Sequence, residues 1–579
     1  MQVKIRVNVM LGIACCALLI IACGGQSVQN NMNKPNVILV MTDDQGYGDL
    51  SVHGNPVLKT PNLDQLYQET VHLTDFHVAP MCTPTRGQLL SGRDAMDNGA
   101  TFVCQGRSMP REELPFMADI FGANGYRTGH FGKWHLGDSY PYRPQDRGFQ
   151  ETVHHGAWGI SSIADHWGND YFDDTFRHND KLQSYEGYCT DVFFEEAMDW
   201  MKIRQDQDEP FFLYLPTNTP HVPNIVAEKY AAPYQGKGPA LFYGMIANID
   251  ENMGKLDAFL KDTGLRENTI LIFMTDNGTS QGHTVFNAGM RGHKRDYYDG
   301  GHRVPFFIRW PAGNITEPFD IDALTHCQDV LPTLIDLCEL QSPANVEFDG
   351  VSLTGLIRKD GSQLDDRMLF VQYEAYPEQG AGTVLWNKWR LVKNTELYNI
   401  ADDPGQQNDV AAQNPDIVRQ MRDGYNKWWA ESRQGFETLR NIHIGNPAAN
   451  PMILYSSDWQ GDYADNPGNL LKGDAIGAWD IIVDQPGRYE FSLYRWAPES
   501  DKLLTEPASI LTRSGGALPI AGARLKIGNY DASKPTEGND ESVRFVVDLP
   551  AGKATLETWF TDAEGKPLCS AFYTHVRLK

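Results

Sequence analysis

Short apolar runs recur along the first half of the chain and end at polar, turn-forming clusters. The clearest are Asn36-Val37-Ile38-Leu39-Val40-Met41, Phe211-Phe212-Leu213-Tyr214-Leu215 and Thr269-Ile270-Leu271-Ile272-Phe273-Met274. Runs this short, rich in branched side chains and without a polar face, fit strands covered on both sides, as in a parallel sheet. Residues 35 to about 360 alternate such runs with helix-like segments, which predicts a large α/β domain with a mixed, mostly parallel sheet and helices on both faces. Farther on the pattern changes. Residues 414–433 predict an amphipathic helix. From 447 onward, apolar and polar positions alternate over 479–483, 489–493, 523–527, 543–547 and 554–559, with turns at Gln485-Pro486-Gly487 and Pro550-Ala551-Gly552. That spacing predicts an all-β sandwich. Trp479 and Trp559 are expected in its core, and Trp496, at a strand end, in a loop that contacts a ligand.

The first residues read as a targeting segment. Lys4 and Arg6 precede an apolar stretch from 7 to 22, which closes as Ile20-Ile21-Ala22-Cys23-Gly24. This resembles a bacterial lipobox, which implies cleavage before Cys23, lipid on Cys23, and a protein exported and anchored to a bacterial membrane without a spanning helix. An ordinary signal peptide and an uncleaved anchor are the alternatives. The expected organisation is a signal peptide over 1–22, a tether over 23–34, the α/β domain over 35–360, its C-terminal subdomain over 361–446 and the sandwich over 447–579.

Charge narrows the partners. Fifty Lys and Arg against 75 Asp and Glu give −25. This excludes non-specific nucleic-acid binding and obliges any anionic substrate to find a locally basic pocket. Of nine cysteines, Cys15 and Cys16 lie in the leader and Cys23 at its end. Cys82 stands in a motif of its own. Cys104, Cys189, Cys327, Cys338 and Cys569 are an odd set that reads as buried thiols.

Two of the apolar runs end alike, Met41-Thr42-Asp43-Asp44 and Met274-Thr275-Asp276-Asn277. Sites in open α/β sheets form at the carboxyl ends of strands. Side by side, these ends would gather three carboxylates and an amide oxygen, and like charges so close need a cation. All-oxygen ligands favour Ca2+ or Mg2+ over zinc. Singly, each Asp would read as a turn or cap residue.

Cys82-Thr83-Pro84-Thr85-Arg86 reads as a helix start, with Pro84 in the first turn and free amides turned toward an anion. Arg86, one turn on, is expected to reach back toward residue 82. In Gly132-Lys133-Trp134-His135-Leu136-Gly137 the Lys and His alternate, so both can face one side. His221 sits in Pro220-His221-Val222-Pro223, a stiff extended loop. Lys294 lies in a basic loop, where His293 and His302 carry no assigned role. Residues 154–178 mix rings and polar groups (His154, His155, Trp158, His166, Trp167, Tyr171, Arg177 and His178 among them) and suit either a sugar or a self-packed loop.

Together these segments resemble the formylglycine-dependent sulfatases, arylsulfatase-like members of the alkaline phosphatase superfamily, over roughly 35–435; residues 386–391, 396–399 and 403–405 resemble that family's small C-terminal antiparallel sheet. The resemblance implies that a maturation enzyme oxidises Cys82 to formylglycine, whose hydrate attacks sulfur. It implies a cation, Ca2+ rather than Mg2+, held by Asp43, Asp44, Asp276, Asn277 and an oxygen of residue 82. It assigns Arg86 to steadying the hydrate, Lys133 and Lys294 to binding sulfate, His135 to taking the hydrate proton and His221 to protonating the leaving oxygen. The family's usual Glu-Gly-Gly is here Asp299-Gly300-Gly301, which is expected to shift a supporting hydrogen bond. The expected substrate is a sulfated carbohydrate. A phosphate or phosphonate ester hydrolase and a non-catalytic glycan-binding surface lipoprotein are the alternatives; Lys133, His135 and Lys294 favour sulfate. The C-terminal sandwich is expected to shape substrate range. A chain ending near 446 is expected to keep activity on a small aryl sulfate and lose it on the carbohydrate.

Overall fold

Asn36–Thr42 runs through the middle of a ten-stranded sheet, the largest in the computed structural model, which describes residues 34–579 except Asn345 and Leu439. Cys23, the leader and nearly all of the tether lie outside the described residues. No described helix is long and apolar enough to cross a membrane.

Thr269–Thr275 pairs parallel to one side of Asn36–Thr42 and Phe211–Pro216 to the other. Arg127–Phe131 and Glu151–His154 continue the parallel order. Phe306–Arg309 lies antiparallel beyond Thr269–Thr275. Strand alternation assigns the faces. Val37, Leu39, Met41, Ile270, Ile272 and Met274 pack with the helices Cys82–Ser91, Met117–Ala123 and Val330–Leu337. Ile38, Val40, Leu271 and Phe273 face the other way, onto Cys189–Asp206 and Ala240–Thr263. Both faces are covered, which is why these strands carry no polar face.

A four-stranded antiparallel sheet follows: Met368–Val371, Thr383–Trp386, Trp389–Val392 and Glu396–Asn399. Helix Pro415–Glu437 lays Val418, Met421 and Tyr425 on it. Arg390 of this sheet is buried and donates to Asp299 Oδ1 at 3.2 Å and Asp75 Oδ1 at 2.8 Å. The short Asp299 thus serves as an anchor for the small sheet.

The C-terminal region forms two mostly antiparallel sheets, one of seven strands and one of four, around Trp459, Trp479, Phe491, Leu525 and Phe545. The strand Ile442–Ile444 joins the larger sheet, parallel to Gly477–Val483. Two expectations fail here. Trp496 is 1% exposed, with the Arg495 guanidinium 4.1 Å from its ring, because Arg495 draws residues 504–516 over it through their carbonyls. Trp559 lies half-buried on the outer face under Arg524. Its neighbours Thr558 and Phe560 take the inner positions, and alternation excludes Trp559.

Met109, Tyr142, Ala157, Ile163 and Ala164 of the α/β region belong to the same apolar cluster as the sandwich. Cutting the chain near 446 would strip the cover from this shared core, so the role of the sandwich is better read from point substitutions. Cys104, Cys189, Cys327, Cys338 and Cys569 are buried free thiols, as is Cys82.

Candidate active site

Strand register builds the acidic half of the site. Thr42 lies opposite Thr275, so Asp43 and Asp276 leave neighbouring strands together. Asp276 N–H donates to the Thr42 carbonyl at 3.0 Å and Asp43 N–H to Thr219 at 3.1 Å, which locks three strand ends to one another. Asp44 adopts φ 68°. A non-glycine residue in the left-handed region is uncommon and clusters at functional sites. Its N–H donates to Asp276 Oδ1 at 3.1 Å, and its Oδ1 accepts from Asn277 Nδ2 at 3.0 Å.

Three cations meet these three carboxylates. Lys133 Nζ donates to Asp43 Oδ2 at 2.6 Å, Lys294 Nζ lies 2.5 Å from Asp44 Oδ1, and Arg86 Nη2 donates to Asp276 Oδ2 at 2.8 Å. Arg86 Nη1 also holds the Lys133 carbonyl at 3.1 Å. Arg86 therefore reaches across the strands to Asp276, and Cys82 also lies close enough to act on its charge. The array is neutral by itself, so carboxylate repulsion alone does not demand a metal.

A stronger indication comes from unpartnered oxygens. Asp43 Oδ1 and Asn277 Oδ1 are buried and make no hydrogen bond among the described residues. Buried acceptors without partners are costly unless a ligand completes them. Ligand atoms of Asp43, Cys82 and Asp276 lie within 4.8 Å of one another. The carboxylate oxygens of Asp43 and Asp276 that meet there fit a divalent cation. Burial and Asp276 push the Asp43 carboxyl well above the usual range. Burial also pushes Asp44 up, but Lys294 and His221 outweigh it and hold that carboxyl well below the usual range.

Cys82 is the first residue of helix Cys82–Ser91. Burial raises its thiol pKa despite Lys133 and Lys294. A thiol held protonated is a poor nucleophile. Lys133 and His135 arrive by a loop after Arg127–Phe131. At Gly132, with φ 125°, a Cβ would stand 1.9 Å from the Pro216 carbonyl oxygen. That close approach brings the Lys133 N–H to the same carbonyl at 2.8 Å.

The histidines are oriented by carbonyls. His135 Nε2 lies 3.3 Å from Val103 O, which can only accept, so Nε2 carries the proton and the unpartnered Nδ1 is the base. Burial, Lys133 and Arg86 hold its pKa well below the ordinary value. His221 Nδ1 donates to Val222 O at 2.6 Å, and Nε2 points to Asp44 Oδ2 at 3.8 Å. Burial and Lys294 bring His221 down to about 3.

Cys82, His135, His221 and Lys294 line one cavity of about 750 Å³. Arg295 and Arg513 stand on its wall and give the locally basic approach that the net charge requires. The lining also includes Trp158 and three residues that sequence reasoning missed, Ser161, Tyr463 and Asp465. Trp158 and its neighbours had been read as either sugar-facing or self-packed. The structure separates them: Trp158 faces the cavity, while His154, His155 and Tyr171 are buried. No sequence signal pointed to Asp465, because the fold brings it from more than three hundred residues away.

The sulfatase family profile matches residues 35–340, and the C-terminal profile of N-sulphoglucosamine sulphohydrolase matches 291–428. The chain is 32% identical to arylsulfatase A of Homo sapiens over 67% of this chain and 86% of that one. It is 28% identical to an ulvan-active sulfatase of Formosa agariphila over 66% of this chain and 78% of the relative. The solved structure of Ps i-CgsB in complex with k-i-k-neocarrahexaose superposes with a TM-score of 0.63 at 26% identity, covering 70% of this chain and 94% of that one.

Proposed function

The chain belongs to the sulfatase family and is a sulfuric ester hydrolase, and from that premise we propose that it desulfates a carbohydrate through a formylglycine formed at Cys82, with Ca2+ held by Asp43, Asp44, Asp276 and Asn277. The observation that carries this reading is convergence. Two matched strand ends, the first residue of a helix and the loop cations Lys133 and Lys294 meet at one buried point beside a cavity. The relatives' names support the substrate class, since one is an ulvan-active sulfatase and one was solved in complex with k-i-k-neocarrahexaose.

The residues present fit the implied groups. A divalent cation at the four ligands supplies Lewis-acid neutralisation of oxygen charge. Formylglycine supplies, as its hydrate, an oxygen nucleophile where the Cys82 sulfur now lies. Lys133 and Lys294 are the ammonium groups that would meet the sulfate oxygens. Arg86 holds the Asp276 side chain in place. His135, neutral and with Nδ1 bare, accepts a proton at the residue 82 side. His221 must bring a proton to the departing sugar oxygen. Its pKa is low without substrate, and an incoming sulfate anion raises it, since opposite charge favours the protonated ring. The Cys82-Thr83-Pro84-Thr85-Arg86 motif supports a maturation enzyme as partner. The Ala22-Cys23-Gly24 end of the leader supports export and a lipid anchor on Cys23.

His221→Ala is expected to lower kcat by about 10²- to 10⁴-fold on sugar sulfates, whose alkoxides leave badly. The loss on 4-nitrophenyl sulfate should be much smaller, because its phenolate needs little protonation. Equal losses on both would reduce His221 to a sulfate-binding group. The reading as a whole is tested by sulfate release from matured protein, measured on defined sulfated saccharides with a phosphate monoester as control. Preference for the phosphate ester would contradict it.

A further inference from the structure

One side of the cavity takes no part in the chemistry above. Beyond His221 its wall comes from two segments far apart in sequence, near Trp158 to Ser161 and near Tyr463 to Pro467. The Trp158 ring lies 5.1 Å from the His221 ring. Its Nε1–H donates to the Asp465 carbonyl at 2.9 Å, and Ile163 N–H donates to the same oxygen at 3.2 Å. The sandwich backbone thus fixes the indole beside the group that serves the leaving oxygen.

The Asp465 side chain faces the same space. The residue is 1% exposed. Its Oδ2 accepts from Tyr463 OH at 2.9 Å and its Oδ1 from Asn466 Nδ2 at 3.1 Å. One bond per oxygen leaves each with acceptor capacity. Ser161 is 7% exposed and held at φ 69°, and its Oγ makes no hydrogen bond among the described residues. A buried hydroxyl in that state is waiting for a partner that a ligand can supply. A second cavity of about 280 Å³ shares Ser161, Pro467, Ile510 and Leu511 with the first, so the space continues past Ser161 along the seam with the sandwich.

An apolar ring face, a carboxylate with spare acceptor capacity and an unused hydroxyl are what a sugar ring needs. Its C–H face lies on the indole and its hydroxyls bond the oxygens. Resting on the sulfatase reading, we propose that Trp158, Ser161 and Asp465 form a subsite for the hydroxyl-bearing sugar ring at the scissile ester. The C-terminal sandwich supplies Asp465, and the continuing cavity takes at least one further ring. Asp465 then sets specificity from outside the matched family segments, which end at 428.

The test uses full-length, matured protein and a ratio. 4-Nitrophenyl sulfate offers the ester without sugar hydroxyls. N-acetylgalactosamine 6-sulfate and oligosaccharides of carrageenan and ulvan offer both. The saccharide that wild type turns over best is compared with the aryl ester. Asp465→Asn and Trp158→Ala are each expected to lower the saccharide-to-aryl ratio of kcat/KM by about 10- to 100-fold. Ser161→Ala, which removes a hydroxyl the fold does not use, should lower it by about 3- to 10-fold. An unchanged ratio in all three variants overturns the subsite, as does equal loss on both substrates. So does a wild type that hydrolyses the aryl ester and none of the saccharides. A matured wild type inactive on every sulfate ester overturns the sulfatase reading, and the subsite falls with it.

Discussion

Asp276→Ala is expected to lose the divalent cation, at least about 10³-fold in activity and a measurable part of its stability. The activity estimate rests on what preorganised charge stabilisation contributes. The stability estimate rests on Arg86. Asp276 Oδ2 is the carboxylate partner of its guanidinium, and both side chains are fully buried. Removing one member of such a pair leaves a buried charge uncompensated and costs about 3–5 kcal/mol. Asp276 Oδ1 also receives the Asp44 N–H, so the loop bearing Asp44 loosens. Elemental analysis should find metal equimolar with wild type and absent from the variant. Thermal unfolding should show the loss of stability in metal-free protein too, which separates the ion pair from the metal. A variant that keeps metal and wild-type turnover would remove Asp276 from the ligand set.

Cys82→Ala is expected to cost about 10⁴- to 10⁶-fold in kcat, the range seen when a nucleophile is removed. Stability should change far less than in Asp276→Ala. The three ion pairs join Asp43, Asp44 and Asp276 to Lys133, Lys294 and Arg86 without using residue 82. Metal affinity should weaken without vanishing, since four other ligands remain. Activity within tenfold of wild type would mean that residue 82 is not the nucleophile.

How much of this was legible in the sequence depends on the distance over which each feature is encoded. The central strands were readable because burial on both faces removes polar residues from the run itself, as in Val37 to Met41. The meeting of Asp43 and Asp276 was readable because two strands end almost alike, Met-Thr-Asp-Asp and Met-Thr-Asp-Asn, and parallel pairing puts matching endings level. The pairing of Arg86 with Asp276 was not legible, because helix spacing places a Cα and leaves the end of a long side chain free to find its partner. Lys133 and His135 converge for a reason that spacing does not hold, the close approach permitted by Gly132. Trp559 was misplaced because alternation fixes which residues share a face, and only packing says which face is inner. The wall containing Asp465 was invisible. It arises where the sandwich shares a core with Tyr142 and Ile163, a contact that neither segment signals alone.

The central claim is that residue 82 acts as formylglycine. Its most direct test is peptide mass spectrometry on residue 82 across preparations matured to different extents, each assayed for sulfate release. The account predicts sulfur exchanged for a carbonyl oxygen at residue 82, with specific activity rising in proportion to the converted fraction. Full activity in a preparation whose residue 82 is an intact thiol would contradict it.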